Sequence, residues 1–350
     1  MATGPGTEYA LNVFATTKAA TAAVPAGHEA AREQFVLTPG PAYFAPPAAA
    51  AGGALQVKRT GDQLAFAAGD VRGEFDTKAG RLVRYERKGQ RVINQFPEPY
   101  FWRAPTDNDF GNGMPERLGA WRTAHTRRPV QRVAVGEQTA AGLPITVEYL
   151  LADLGVPYTV QYLVAPDGAV QVTAAIDMTG KQLPELPRFG MRLELPGRFG
   201  QLAYYGRGPW ENYSDRYTAS FLGTYRDSVR RQLTANYIRP QESGYRTDVR
   251  WLTLSDAAGQ GLRIEGAQPL CFSALPTRTE FLDPGLTKKQ QHTNDVRSFD
   301  YVCLQIDLKQ RGVGGDNSWG ALPHDQYRLL DKQYSYTYTL RLLDGPAAAQ

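Results

Sequence analysis

Along most of the chain hydrophobic and polar positions alternate with period 2, the signature of a half-buried strand, and the helical period of about 3.6 residues is not sustained beyond about two turns anywhere. Near the C-terminus Tyr334, Tyr336, Tyr338, Leu340 and Leu342 share one face while Ser335, Thr337, Thr339 and Arg341 share the other. That pattern predicts one long strand. Residues 157–164 and 169–177 flank Pro166, Asp167 and Gly168, which preset a tight turn, so the pair reads as a β-hairpin. Residues 63–67, 145–151, 189–195, 262–265 and 302–308 read as further strands. Strand after strand separated by short turn signals predicts an all-β sandwich.

The pattern also divides the chain. Residues 45–54, rich in Ala, Pro and Gly, have neither periodicity nor charge and read as a linker. Before it only residues 9–16 and 31–37 are plausible strands, and two strands alone are marginal in water. Residues 1–44 therefore read as the closing strands of an incomplete domain. Residues 55–343 are long enough for a large core, and residues 344–350 read as a tail.

Composition narrows the function. The chain has 350 residues, 42% hydrophobic and 21% charged, as expected of a folded protein. The net charge is +4, with no dense block of Lys or Arg, which argues against nucleic acid as a partner. No apolar run of about 18 residues suggests a membrane span. Met1-Ala2-Thr3-Gly4-Pro5 lacks the basic end and apolar run of a secretory leader, so a cytoplasmic location is the expectation. Cys271 and Cys303 lie in apolar strand-like contexts and read as buried free thiols rather than a pair. Two cysteines and four scattered histidines offer no zinc spacing, so no metal ligand is assigned. His28, His125, His292 and His324 read as surface or satisfied side chains.

No nucleophile elbow, phosphate loop or zinc-protease motif is present. Three segments are nonetheless too unusual for plain strands. Residues 101–113 pass from Arg103-Ala104-Pro105 through Asp107, Asn108 and Asp109 to Gly111, Asn112 and Gly113, and read as a loop that bends and can move. Residues 206–216 combine Trp210, Glu211, Asn212 and Tyr213, a set suited to carbohydrate hydroxyls or to a tight corner. Residues 310–320 place glycines before Asp316, Asn317 and Ser318 and would hold Trp319 out on a loop. An exposed indole is costly unless something covers it, and a sugar ring, apolar on one face, is a suitable cover.

These segments resemble the C-terminal region of the β-galactosidases of glycoside hydrolase family two. Residues 103–109 match its R-A-P-x-D-N-D block, residues 187–192 its P-R-x-G-x-R strand, residues 206–213 its G-x-G-P-x-E-N-Y block and residues 314–319 its G-G-D-x-S-W block. The four blocks occur in the family's order, the resemblance covers residues 55–343, and residues 8–37 resemble the end of the immunoglobulin-like domain that precedes this region. The resemblance implies a large antiparallel β-supersandwich, similar to galactose mutarotase, that packs against a (β/α)₈ barrel. In that family the two catalytic glutamates, and the magnesium and sodium ions, belong chiefly to the barrel. No alternating strand–helix pattern is present here, so no catalytic residue, metal ligand or cofactor is assigned to this chain.

What the resemblance carries over is a binding role. Trp319 matches the tryptophan that reaches into the barrel's pocket, Gly111 and Asn112 begin a loop that borders it, and Asp316 and Asn317 are expected to aim Trp319 or to touch substrate. Arg103, Asp107, Asn108, Asp109, Glu211 and Asn212 are expected chiefly to structure loops, with Arg103 clamping a nearby carboxylate. The implied partners are a barrel-bearing β-galactosidase chain or domain and a galactoside. A free-standing carbohydrate-binding module acting through Trp210 or Trp319 is the alternative reading. A purely structural role stays open, and aldose epimerisation is disfavoured because its His and Glu cannot be placed.

Overall fold

The computed structural model describes residues 6–37, 43–44, 54–234, 236–317 and 319–345. The expected linker over 45–54 lies outside the described residues except for Ala54, and so does the tail beyond Gly345. The all-β sandwich expected from the alternation is the observed architecture.

Strands β1 (Ala10–Thr16) and β2 (Glu29–Val36) form an antiparallel two-stranded sheet of their own. Phe14 and Phe35 on this hairpin are half exposed. Strands β3 (Gln56–Thr60), β4 (Gln63–Ala68), β5 (Val71–Asp76), β6 (Arg81–Arg87) and β7 (Gln90–Arg91) follow as an antiparallel meander. Strands β4, β5 and β6 alternate buried and open positions, so the meander lays one face on the body of the molecule. Tyr85 enters that contact, and its hydroxyl donates to the carbonyl of Gly168 at 2.9 Å and lies 3.2 Å from that of Leu340.

Twelve strands build the body: β8 (Gln95–Tyr100), β9 (Val130–Val135), β10 (Leu143–Leu151), β11 (Val156–Val164), β12 (Val170–Asp177), β13 (Arg188–Pro196), β14 (Gln201–Gly208), β15 (Phe221–Ser228), β16 (Arg246–Ser255), β17 (Gln260–Leu275), β18 (Tyr301–Gln310) and β19 (Gln333–Asp344). Their path runs β15-β14-β16-β17-β19-β12-β11-β10-β9, with a branch through β18 and β13 to β8. The branch point is β17. Its first residues, 260–266, pair with β19, and its last, 271–275, pair with β18. The sequence pattern showed only residues 262–265 of it, because Gly266 and Pro269 interrupt the alternation at the point where the strand passes from one layer to the other.

Closure of the sandwich follows from β13. Phe189, Met191, Leu193 and Leu195 face inward and are fully buried. Phe189 meets Phe101, Tyr158, Tyr334 and Tyr336 at centroid distances of 5.6–6.5 Å. The Tyr336 hydroxyl donates to the carbonyl of Ile306 at 2.7 Å, which ties β19 to β18 across the core. The β-hairpin expected at residues 157–177 is β11–β12, and the long C-terminal strand is β19 with its predicted face buried.

The N-terminal hairpin docks on the edge strand β15. Gln34 donates to the carbonyl of Leu222 at 2.9 Å and accepts from its amide at 2.7 Å, taking the place of a strand partner. Glu8 binds Arg250 through two contacts of 2.7 Å in a nearly buried ion pair. No helix among the described residues is long and apolar enough to cross a membrane.

Truncating Phe189 to Ala opens a cavity among four aromatic rings and is expected to cost about 3–5 kcal/mol in urea denaturation. Phe35→Ala on the half-exposed hairpin is expected to cost under about 1 kcal/mol. Equal losses for the two would show that the core is not organised around β13.

Candidate functional site

The residues of β13 that point away from the core are Arg188, Gly190, Arg192 and Glu194, and those of β18 include Gln305 and Asp307. Alternation of this kind normally means a solvent-facing side. Here the charged side is buried, beneath the segments that carry Glu98, Glu242, Arg278 and Glu280. Arg192 pairs with Glu280 at 2.7 Å and with Glu98 at 3.3 Å, and Glu194 pairs with Arg278. Arg188 lies 3.0 Å from Asp307 and 2.9 Å from Glu242. Burial pushes the Asp307 carboxyl up to about 7, and Arg188, which also serves Glu242, offsets only part of that. Burial likewise brings the His125 imidazole down to about 4, so it is neutral near pH 7.

Residues 107–111, expected as a bending loop, form instead a one-turn helix, α1 (Asp107–Gly111), followed by α2 (Met114–Arg117). The reason is a capping box. Thr106 Oγ1 accepts from the Asp109 amide at 3.3 Å, and the Asp109 carboxylate accepts from the Thr106 amide at 2.8 Å. Asp109 is fully buried and also takes both η nitrogens of Arg103, at 2.5 and 3.0 Å, and Nη1 of Arg311 at 2.7 Å. Arg103 Nη2 then donates to the carbonyl of Gly312 at 3.0 Å. Burial together with the like charge of Arg103 pulls Arg311 below its ordinary range, and Glu185, 3.3 Å from its Nε, opposes that pull. The ion pairs continue through Glu185 to Arg328 at 2.7 Å.

This network fixes the root of the loop that carries Trp319. Asp215 accepts from the amides of Val313 and Gly314 at 3.1 and 2.8 Å. Asn108 donates from its amide to the carbonyl of Val313 at 3.1 Å. Gly320 has φ +115°, and a Cβ there would stand 3.1 Å from the carbonyl oxygen of Gly111, so a glycine at 320 lets the loop close against the end of α1. Asn112 reaches the carbonyl of Ala321 at 3.5 Å. Asn317 Oδ1 accepts from the amide of Trp319 at 2.9 Å, and Asp316 lies 2.7 Å from His324 Nε2. Trp319 itself is 90% exposed and has no ring partner among the described residues. Leaving an indole uncovered forfeits on the order of 4 kcal/mol of burial.

The remaining expected residues lie elsewhere in the same group of loops. Asp107 is exposed and pairs with Lys288 at 2.8 Å and Arg239 at 3.4 Å, drawing two further loops toward α1. Those loops expose Ile238 and Leu286. Glu211 accepts from Thr234 Oγ1 at 2.6 Å and the Gly244 amide at 2.7 Å, and also pairs with Arg216. Asn212, fully buried, donates to the carbonyls of Arg207 and Trp210 and accepts from Thr247. Glu211 and Asn212 thus hold the corner, their polar groups engaged within it. Glu185, Glu242 and Asp307 were not singled out in the sequence, and Arg188 entered only as part of the block at 187–192. Arg311 and Asp215 adjoin motif blocks, but nothing in their spacing says that they meet. Among the described residues no three His, Cys, Asp or Glu side chains group as metal ligands.

The chain is an all-β sandwich whose salt-bridged loops hold Trp319 uncovered at a loop tip. The family model of the β-galactosidase small chain matches residues 67–340, and the chain belongs to that family. A β-galactosidase of Priestia megaterium is 35% identical over 338 residues, covering 96% of this chain and 32% of the relative. One of Halalkalibacterium halodurans is 33% identical, covering 93% of this chain and again 32% of the relative. The chain therefore spans about a third of the length of these curated relatives. Among solved structures, galactose 1-epimerase from Lactobacillus acidophilus superposes with a TM-score of 0.47 at 8% identity, over 83% of this chain and all of that one.

Asp109→Asn leaves two buried guanidinium groups short of an anion and is expected to cost about 3–5 kcal/mol in urea denaturation. A loss below about 1 kcal/mol would mean that the two arginines are satisfied without it. Asp307 sets a pH dependence of known sign. Between about pH 4 and 7 the folded chain keeps a proton on Asp307 that the unfolded chain has released, so its contribution to stability is full at the acid end and is lost as pH rises toward 7. The melting temperature of the unsubstituted protein should therefore fall relative to Asp307→Asn over that window and run parallel to it above. A constant gap from about pH 4.5 to 7.5 would refute the raised carboxyl.

Proposed function

We propose that this chain completes the substrate pocket of a retaining β-D-galactoside hydrolase of glycoside hydrolase family two. The catalytic barrel, with its acid/base and nucleophilic glutamates and its magnesium and sodium ions, is supplied by a partner chain or a further domain. The observation that carries the reading is Trp319, an uncovered indole on a loop whose base is held by buried ion pairs. A flexible loop would not keep such a side chain in one place, and a core residue would not be exposed.

In this reading Trp319 stacks on the apolar face of the substrate, chiefly on the aglycone side, and excludes water there. Gly111 and Asn112 form the adjoining rim, while Asp316 and Asn317 hold the loop that aims the indole. Ile238 and Leu286, exposed on the loops joined to Asp107, fall within the surface that the barrel covers. The small-chain family membership, and relatives about three times as long, support a larger partner.

The purified chain is expected not to hydrolyse an aryl β-galactoside, and mixing it with a barrel-bearing β-galactosidase chain is expected to restore turnover. In that complex Trp319→Ala should raise KM about three- to tenfold with a smaller change in kcat, the size of one lost aromatic contact. Turnover by the isolated chain, or an unchanged KM in the variant, would overturn the proposal.

A further inference from the structure

The meander lies over strands β10 and β11. Gly80, in its β5–β6 turn, accepts from the Tyr149 hydroxyl at 2.6 Å, and Phe75 meets Tyr162 edge-on at 5.1 Å. Between this turn and strand β8 the cover is incomplete, and a partly open cleft of about 530 Å³ remains, lined by residues of both. We propose that this cleft binds a small organic anion built on an aromatic ring system, with the ring against the floor and the negative group at the rim.

The floor is apolar. Val160, Tyr162 and Met191 reach the cleft from the inward faces of β11 and β13, and none is more than 5% exposed. Phe96 and Pro99 of β8 add apolar surface beside them. One polar group belongs to this floor. The Tyr162 hydroxyl has no hydrogen-bond partner among the described residues, and unlike the Tyr158 hydroxyl, which is sealed in the core, it keeps surface that water reaches. Burial pushes it well above the ordinary range, which keeps it a donor at any working pH. Its ring is fixed by Phe75, so the donor is held in place.

The rim is basic. Arg81, Arg127 and Arg128 line the cleft against a single carboxylate, Glu98. Glu98 is already divided between Arg128 at 2.9 Å and Arg192 at 3.3 Å. Arg127 pairs with Asp153 at 2.6 Å. Arg81 is exposed and makes no ion pair among the described residues, although Asp76 on the neighbouring strand feels its charge. Positive charge therefore exceeds negative at the mouth, which repels a cation and leaves a guanidinium unused by a neutral molecule. A planar carboxylate takes such a guanidinium through two N–H groups at once.

The volume lies within the roughly 300–1,000 Å³ of small-molecule sites, whose lining is likewise apolar and aromatic with a few placed polar groups. The cleft shares no lining residue with the Trp319 loop, so the proposal does not rest on the pocket-completing role of that loop.

Calorimetric titration of the full chain with 2-naphthoate, and separately with its neutral isostere 2-naphthamide, tests the site. Saturable binding is expected for both, with the acid the tighter. Arg81→Gln is expected to weaken the acid about three- to tenfold and to leave the amide unchanged, the size of one partly exposed charge contact. Tyr162→Phe, which keeps the ring against Phe75, is expected to weaken both about two- to fivefold, the size of one hydrogen bond. Trp319→Ala is expected to change neither. Absence of saturable binding by the acid would overturn the proposal, and so would acid and amide of equal affinity. Binding abolished by Trp319→Ala and indifferent to Arg81→Gln and Tyr162→Phe would also overturn it, by placing the ring on the exposed indole. Because Arg81 is exposed and unpaired, Arg81→Gln is expected to keep the melting temperature of the unsubstituted chain, so its effect on the acid reads the cleft and not the fold.

Discussion

One carboxylate organises the functional end of this molecule. Asp109 is fully buried, yet it accepts from Arg103, from Arg311 and from the capped end of its own helix. A lone ion in that position would be costly by several kcal/mol, and an isolated buried pair adds little to stability. Its value here lies in geometry. Because Arg103 and Arg311 stand on segments more than two hundred residues apart, the shared anion forces the α1 turn and the root of the Trp319 loop into one arrangement. The planar, forked guanidinium makes that arrangement directional, which a lysine would not.

The layer beneath supports the same end of the sandwich. Strands β13 and β18 present their apolar sides to the core and their charged sides to the loops, and the loops answer with opposite charges. The fold therefore has two interiors: an aromatic one centred on Phe189 and a polar one centred on Arg188 and Asp307. The first is indifferent to pH, whereas the second is held by matched charges and by a carboxyl that burial displaces toward neutrality. Rigidity at the base and exposure at the tip are consequences of this division. Loops anchored by buried charge have few alternatives, and so they can carry an apolar side chain into solvent without its collapsing onto the core.

Two features at that end answer to different chemistry. Trp319 is apolar, open and held from below, which suits contact with something brought by a partner. The recess beside it is small and partly open, and its charged side chains are already matched. The N-terminal hairpin stands apart from both. It is attached to β15 by Gln34 and to β16 by the Glu8–Arg250 pair, with aromatic residues of its own still half exposed.

The alternation along the chain determined the all-β class, the β11–β12 hairpin, β19 and the inward face of β13, because a strand writes its burial directly into every second residue. It could not show β17 whole, since Gly266 and Pro269 obscure a strand that changes layers, nor α1, where two acids and an amide look like a turn until Thr106 and Asp109 are seen to cap each other. The motif blocks pointed to Trp319, Asp316 and Asn317 because their composition is unusual within a few residues of chain. They were silent on Glu185, Glu242 and Asp307 and on what Arg311 and Asp215 meet, and for one reason. Each of these acts on a partner far away in sequence, and an ion pair between distant segments leaves no periodic trace in either. The local pattern thus sets which residues face inward. Which buried charge meets which, and hence where the loops stand, is decided only when the sheets close and the desolvated charges must be matched.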